Sequence, residues 1–179
     1  MGKQTGFSLI KQVDKKTPFN EALRATQLLQ LVYAISGLVY LLAAKLMTTG
    51  ETLPHGFVQW PEQQYQLLLL GAGVVTALIV GVTFLVLPKF TTPDVLIKKK
   101  AISTLEELGY ELRQAQVLKI TVMQIPAILG LILFLFNWHW LHMIPFVLVT
   151  LFLLAATFPR EEAWEEAKTL FETEEMLHS

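Results

Sequence analysis

Three stretches of this chain carry no charged side chain: residues 25–44, 63–88 and 120–159. That feature limits the fold more than any motif does. An α-helix rises about 1.5 Å per residue, so roughly 20 apolar residues cross a hydrocarbon layer of about 30 Å. The first two stretches each hold one crossing. The third holds two, parted near its middle by Asn137-Trp138-His139-Trp140. Backbone N–H and C=O groups cannot stay unpaired in lipid, so continuous runs of this kind must be helical. The expectation is an all-α polytopic membrane protein with four transmembrane helices arranged as two hairpins. Composition agrees, because 53% of the residues are hydrophobic and 16% charged, where a soluble domain carries about 25% charge.

The basic residues set an expected orientation. Lys3, Lys11, Lys15, Lys16 and Arg24 precede the first crossing. Lys89, Lys98, Lys99, Lys100, Arg113 and Lys119 lie between the second and third, and Arg160 and Lys168 follow the fourth. The connections 48–62 and 137–142 hold none, and Lys45 can snorkel outward along its own stem. By the positive-inside rule both termini are expected in the cytoplasm, which implies a multi-pass cell-membrane protein, in the inner membrane if bacterial. The first crossing is too long for the apolar core of a cleavable signal, so none is expected. Gly6 stands where a myristoylation motif wants Ser or Thr. The expected organisation is a segment 1–20, a hairpin 21–88, a basic amphipathic connection 89–111, a second hairpin 112–159 and an acidic amphipathic helix 160–179.

Reactive chemistry is sparse. The chain has no cysteine, which removes disulfides, thiolate metal sites and iron–sulfur clusters. No carboxylate lies in any crossing, against an ordinary proton relay. The hydroxyls there have no acid or histidine near them in sequence, so neither an enzyme nor a bound cofactor is expected. His139 and His142 stand three apart beside Trp138 and Trp140. That spacing can present two imidazoles to a metal or haem, and the same residues also suit interfacial anchors.

The connection 89–111 opens with Thr92-Pro93-Asp94, a cap, a proline for the first helical position and a carboxylate for the positive helix end. Val95, Leu96, Ile102, Leu105 and Leu108 recur at helical spacing, and Gly109 is expected to stop that helix. Lys98, Lys99 and Lys100 fit a basic helix on the lipid surface rather than a nucleic-acid site. Seven glutamates follow Pro159, with Ala163, Trp164, Ala167, Leu170 and Phe171 on one side. That helix is expected either to fold back on the basic connection or to meet a soluble partner.

Internal matches point to a duplicated hairpin. Leu23-Arg24-Ala25-Thr26-Gln27 parallels Leu112-Arg113-Gln114-Ala115-Gln116, and Thr76 and Thr83 are spaced as Thr150 and Thr157. Gly73, Ala77 and Gly81 repeat every four residues on the second crossing. Small residues let backbones approach in lipid, so this stripe is expected to be an internal seam or a face for other subunits or further copies.

The third crossing holds one strong polar anomaly, Gln124, followed by Pro126. An amide in hydrocarbon needs a partner. A neighbouring hydroxyl or carbonyl would make it interhelical glue; an ion would make it a ligand. Pro126 lacks an N–H and its ring disturbs the carbonyl of Val122, which predicts a slight kink. Gln124-Ile125-Pro126-Ala127-Ile128-Leu129-Gly130-Leu131 resembles the ion-binding helix of the proteolipid c subunits of rotary ATPases, where a carboxylate precedes Gly-Leu by six and seven positions. With Gln124 in that place, the resemblance does not bring the family's proton-carrying activity with it. Over most of residues 21–171 the chain also resembles a family of uncharacterised bacterial four-helix membrane proteins, through Gln124-Ile125-Pro126, Phe136-Asn137-Trp138-His139 and Phe158-Pro159-Arg160-Glu161-Glu162. That resemblance implies the fold and no activity. The expected function is a non-enzymatic accessory or interaction protein of the bilayer, with a proteolipid-like channel or transporter component as the alternative.

Overall fold

The computed structural model describes residues 18–49, 61–100, 102 and 104–178. Most of the expected segment 1–20, the connection 50–60 and the side chains of Lys99 and Lys100 lie outside the described residues. The described chain is helical, with no strand. In order the helices are α1 (Pro18–Thr48), α2 (Glu62–Gly81), α3 (Pro88–Thr91), α4 (Pro93–Lys100), α5 (Leu105–Met123), α6 (Ile125–Asn137), α7 (Ile144–Ala156) and α8 (Glu161–His178). A π-helical turn, Val82–Val86, joins α2 to α3, and a 3₁₀ turn, Trp140–Met143, leads into α7.

Three helical segments are long and apolar enough to cross a membrane: Phe19–Thr48, Glu62–Val86 and Leu105–Asn137. The fourth candidate is broken, Trp140–Ala156 followed at a bend of 45° by Glu161–Met176. Two departures from regular helix have a local cause. Pro88 cannot donate to residue 84 and its ring crowds that carbonyl, so the preceding turn widens and Leu87 N–H reaches back to Val82 O at 2.9 Å. At Trp138 the backbone turns left-handed (φ 59°, ψ 16°), and its N–H closes α6 on Phe134 O at 2.6 Å. Its indole then stacks on Phe134 with centroids 5.0 Å apart.

Packing departs from chain order. α6 and α7 form a hairpin, but α1 packs chiefly on α5 and α7, and α2 chiefly on α6. α1 and α2 make at most slight direct contact, so the first expected hairpin is not a packed pair. Midway along the bundle Ile120, Met123, Leu153 and Leu154 form a buried cluster that α1 and α2 flank through Leu29, Tyr33, Ile79 and Val80.

Gly109 does not stop a helix. α5 starts at Leu105, capped by Thr104, whose Oγ1 accepts Glu107 N–H at 3.2 Å, and runs through Gly109 into the long apolar segment. The glycine instead allows a close approach: a Cβ there would lie 3.3 Å from Cα of Phe19 on α1. The Thr-x-x-Glu pattern at 104–107 carried the true start in the sequence. Around this point Phe19, Leu23, Leu96, Ile97, Leu108, Leu112, Trp164, Ala167 and Phe171 form one core. The acidic α8 therefore folds back over α4, its Trp164 tilted against Phe19 at 5.2 Å.

The small-residue stripe faces away from the bundle. Ala72, Thr76 and Thr83 are the buried positions of this segment, whereas a Cβ at Gly73 or Gly81 would meet nothing within 4 Å. The internal-seam expectation for Gly73, Ala77 and Gly81 is thereby corrected. The seam lies one residue round the helix.

Candidate functional site

The inward face of α1 reads Leu23, Thr26, Gln30, Gly37 and Ala44, at spacings of three, four and their sums. Its outward face carries Leu28, Leu31, Val32, Ile35, Leu38 and Leu42, each at least half exposed. A soluble helix buries its large apolar residues and exposes its polar ones. Here the polar residues are inside.

Those polar residues meet in a seam between α1, α5 and α7. Gln30 is 1% exposed. Its Nε2 donates to Leu154 O on α7, and its Oε1 accepts from Gln116 Nε2 of α5 at 3.0 Å. Gln116 Nε2 also donates to Thr157 O at 2.9 Å, and Gln27 Nε2 donates to Pro159 O at 3.0 Å. A helix leaves its last four carbonyls without intrahelical partners. At and just beyond the end of α7, glutamine amides from two other helices meet three carbonyls, of which that of Leu154 belongs to the last turn. Thr157 bonds Leu153 O at 2.8 Å, which completes the lining.

Gln124 and Pro126 stand nearer the middle of the bundle. α5 and α6 meet at Gln124, whose N–H still donates to Ile120 O and whose carbonyl still accepts Ile128 N–H, both at 3.1 Å. Its side chain does not serve the Val122 carbonyl disturbed by Pro126. It crosses to α1, donating from Nε2 to Tyr33 O at 2.9 Å. The backbone group released at the break is Ala127 N–H, which donates to Thr150 Oγ1 on α7 at 3.0 Å. Thr150 is 1% exposed, so this bond is shielded from water. The parallel between Thr150 and Thr76 stops at spacing. Among the described residues Thr76 Oγ1 is the buried side-chain oxygen without a hydrogen-bond partner.

The histidine pair lies at the opposite end. Tyr65, 5% exposed on α2, hydrogen-bonds through its hydroxyl to His142 Nδ1 at 2.5 Å, with the rings stacked at 5.4 Å. His139 meets His142 edge-on at 5.6 Å between centroids. Glu62, Gln66 and Asn137 help to line a cavity of about 430 Å³ beside them. Two imidazoles and a phenol are brought together there, but among the described residues no three His, Asp or Glu side chains are grouped to hold a metal ion. Lys45 Nζ lies over the Trp140 ring, 5.6 Å from its centroid.

Gln30 and Gln116 had not stood out in the sequence as site residues. Gln30 lies in a charge-free stretch and obeys the physics applied to Gln124, so it was legible there. Gln116 sits between Arg113 and Lys119, where an amide looks ordinary.

Protein-family models, curated proteins and solved structures give no match to this chain.

Proposed function

We propose that this chain is a non-enzymatic integral membrane protein that acts by contact with other membrane subunits or with further copies of itself, with both termini cytoplasmic. The observation that carries the reading is the internal use of its buried amides. Gln30, Gln116 and Gln124 donate to protein carbonyls or to one another. An ion-conducting seam would turn such groups toward the ion. An amide also neither delivers a proton nor attacks a substrate near neutral pH, so the seam favours a fixed scaffold over catalysis. The apolar outward face of α1 supports burial in lipid, and the basic residues near α4 and α5 support the cytoplasmic placement of that end.

The sodium-site alternative has a direct test. Thermal unfolding of the purified protein in mild detergent is expected to give the same midpoint in sodium, potassium and choline chloride at equal ionic strength. A sodium-selective rise of several degrees would replace the scaffold reading with the proteolipid-like one.

The outward stripe gives a second test. Ala77→Leu is expected to change the stability of the isolated protein by no more than about 0.5 kcal/mol, the usual range for an exposed position. The same substitution is expected to weaken cross-linking of the protein to its neighbours in native membranes, because leucine would hold two backbones apart. Undiminished cross-linking would place the contact face elsewhere.

A further inference from the structure

The last charge before the uncharged stretch 120–159 is Lys119, and the first after it is Arg160. The chain goes out through α6 and returns through α7, and both cations line one cavity of about 210 Å³. Gln116, Thr91, Thr157 and Trp164 share its wall, and among the described residues no carboxylate does. Lys119 is half-buried and has no ion-pair partner among the described residues.

A bland role for these cations would be to neutralise the negative end of α7. That role is already shared. The Leu154 carbonyl of α7, and the Thr157 and Pro159 carbonyls just beyond it, accept glutamine amides, and Leu153 O accepts Thr157 N–H. Arg160 also lines a more open cavity with Glu161, Glu162 and Glu165, which can share its charge. Of these two cations, Lys119 therefore has the less to do inside the protein. The Thr91 and Thr157 hydroxyls and the Gln116 amide already donate within the protein, so a half-buried ammonium beside an indole is what the cavity offers an oxyanion, at the edge of a hydrocarbon-length helix pair.

We propose that this cavity binds the phosphate group of an anionic ligand at the basic end of the bundle, with Lys119 as its principal contact and Arg160 as the second. The placement at a membrane surface rests on the membrane-spanning reading above; the cation pair and cavity do not. The ligand chemistry is a phosphate oxyanion, supplied by an anionic phospholipid headgroup or by phosphate in solution.

The test uses the full chain in a neutral detergent, with thermal unfolding followed while phosphatidylglycerol, phosphatidylcholine or inorganic phosphate is added. Phosphatidylglycerol is expected to raise the midpoint by several degrees and phosphatidylcholine to leave it nearly unchanged. Protection by inorganic phosphate at least as strong as by phosphatidylglycerol would assign the solution source and keep the site. Lys119→Gln is expected to raise the half-saturating concentration about fivefold, near the effect of one surface charge, and Lys119→Arg to restore it. Should Lys119→Gln not fold, Arg160→Gln, at an exposed position, reads the same loss. Lys45→Gln, at the opposite end of the bundle beside Trp140, is the control and is expected to bind as the parent does. Equal protection by phosphatidylcholine, undiminished protection of Lys119→Gln, or equal weakening by Lys45→Gln would overturn the site. Extraction of the chain from native membranes by alkaline carbonate would instead defeat the membrane reading, and is scored separately.

Discussion

Gly130→Leu is expected to prevent α6 and α7 from closing. A Cβ at Gly130 would already lie 3.0 Å from Phe146 Cβ and 3.4 Å from Met143 Cα. Neither atom is the free end of a flexible side chain, so relief requires moving a helix. Extra carbons in a well-packed core cost about 1–3 kcal/mol and occasionally more, and a whole leucine at this crossing belongs at or beyond the top of that range. The expected result is loss of a cooperative melt in mild detergent, or a midpoint lowered well past any other single substitution named here. Gly130→Ala should be far milder. Its helix propensity gain of about 1 kcal/mol opposes a contact that needs only a few tenths of an ångström. Gly73→Leu is the matched control, since nothing lies within 4 Å of its Cβ. A Gly130→Leu protein that melts like the control would mean that α6 and α7 cross elsewhere.

Gln30→Leu is the second large effect. Leucine approximates the volume of glutamine but removes a donor to Leu154 O and an acceptor for Gln116. Hydrogen bonds between membrane helices average about 0.6 kcal/mol and reach about 1.7, so two lost bonds and an unpaired carbonyl predict about 2–3 kcal/mol. Gln124→Leu, which loses one donor to Tyr33 O, is expected to cost less than about 2 kcal/mol. The sharper measurement is a cycle of Gln30→Leu and Gln116→Leu. The pair should cost less together than the sum of the singles, because each single leaves the other amide short of one partner. Strictly additive costs would show that the two amides do not meet.

The helical class and the long apolar helices were legible because charge-free runs are a property of the chain alone. The break near Gln124 was legible for the same reason, since a proline acts on its own helix. What could not be read was which helix lies beside which. Chain order suggested that α1 would lie on α2, yet tertiary packing set α1 against α5 and α7. The stripe Gly73, Ala77, Gly81 shows the same limit. Small residues permit close approach without requiring it, and a rotation of one residue brought Ala72 and Thr76 inward instead. Gly109 failed as a stop signal because a glycine that ends a helix and one that admits a neighbour look alike in one dimension. The fate of the acidic tail was half legible: its apolar side was plain, and its seat on α4 needed the fold.

The slight contact between α1 and α2 has a consequence for how the protein is made. During synthesis the first two helices emerge long before α5 and α7, and they have almost nothing to offer each other. Until α5 and α7 exist, Gln30 has neither Gln116 nor the Leu154 carbonyl to bond. A chain interrupted after α2 would keep that amide without the partners it has in the fold. Completion of the C-terminal half is what supplies them.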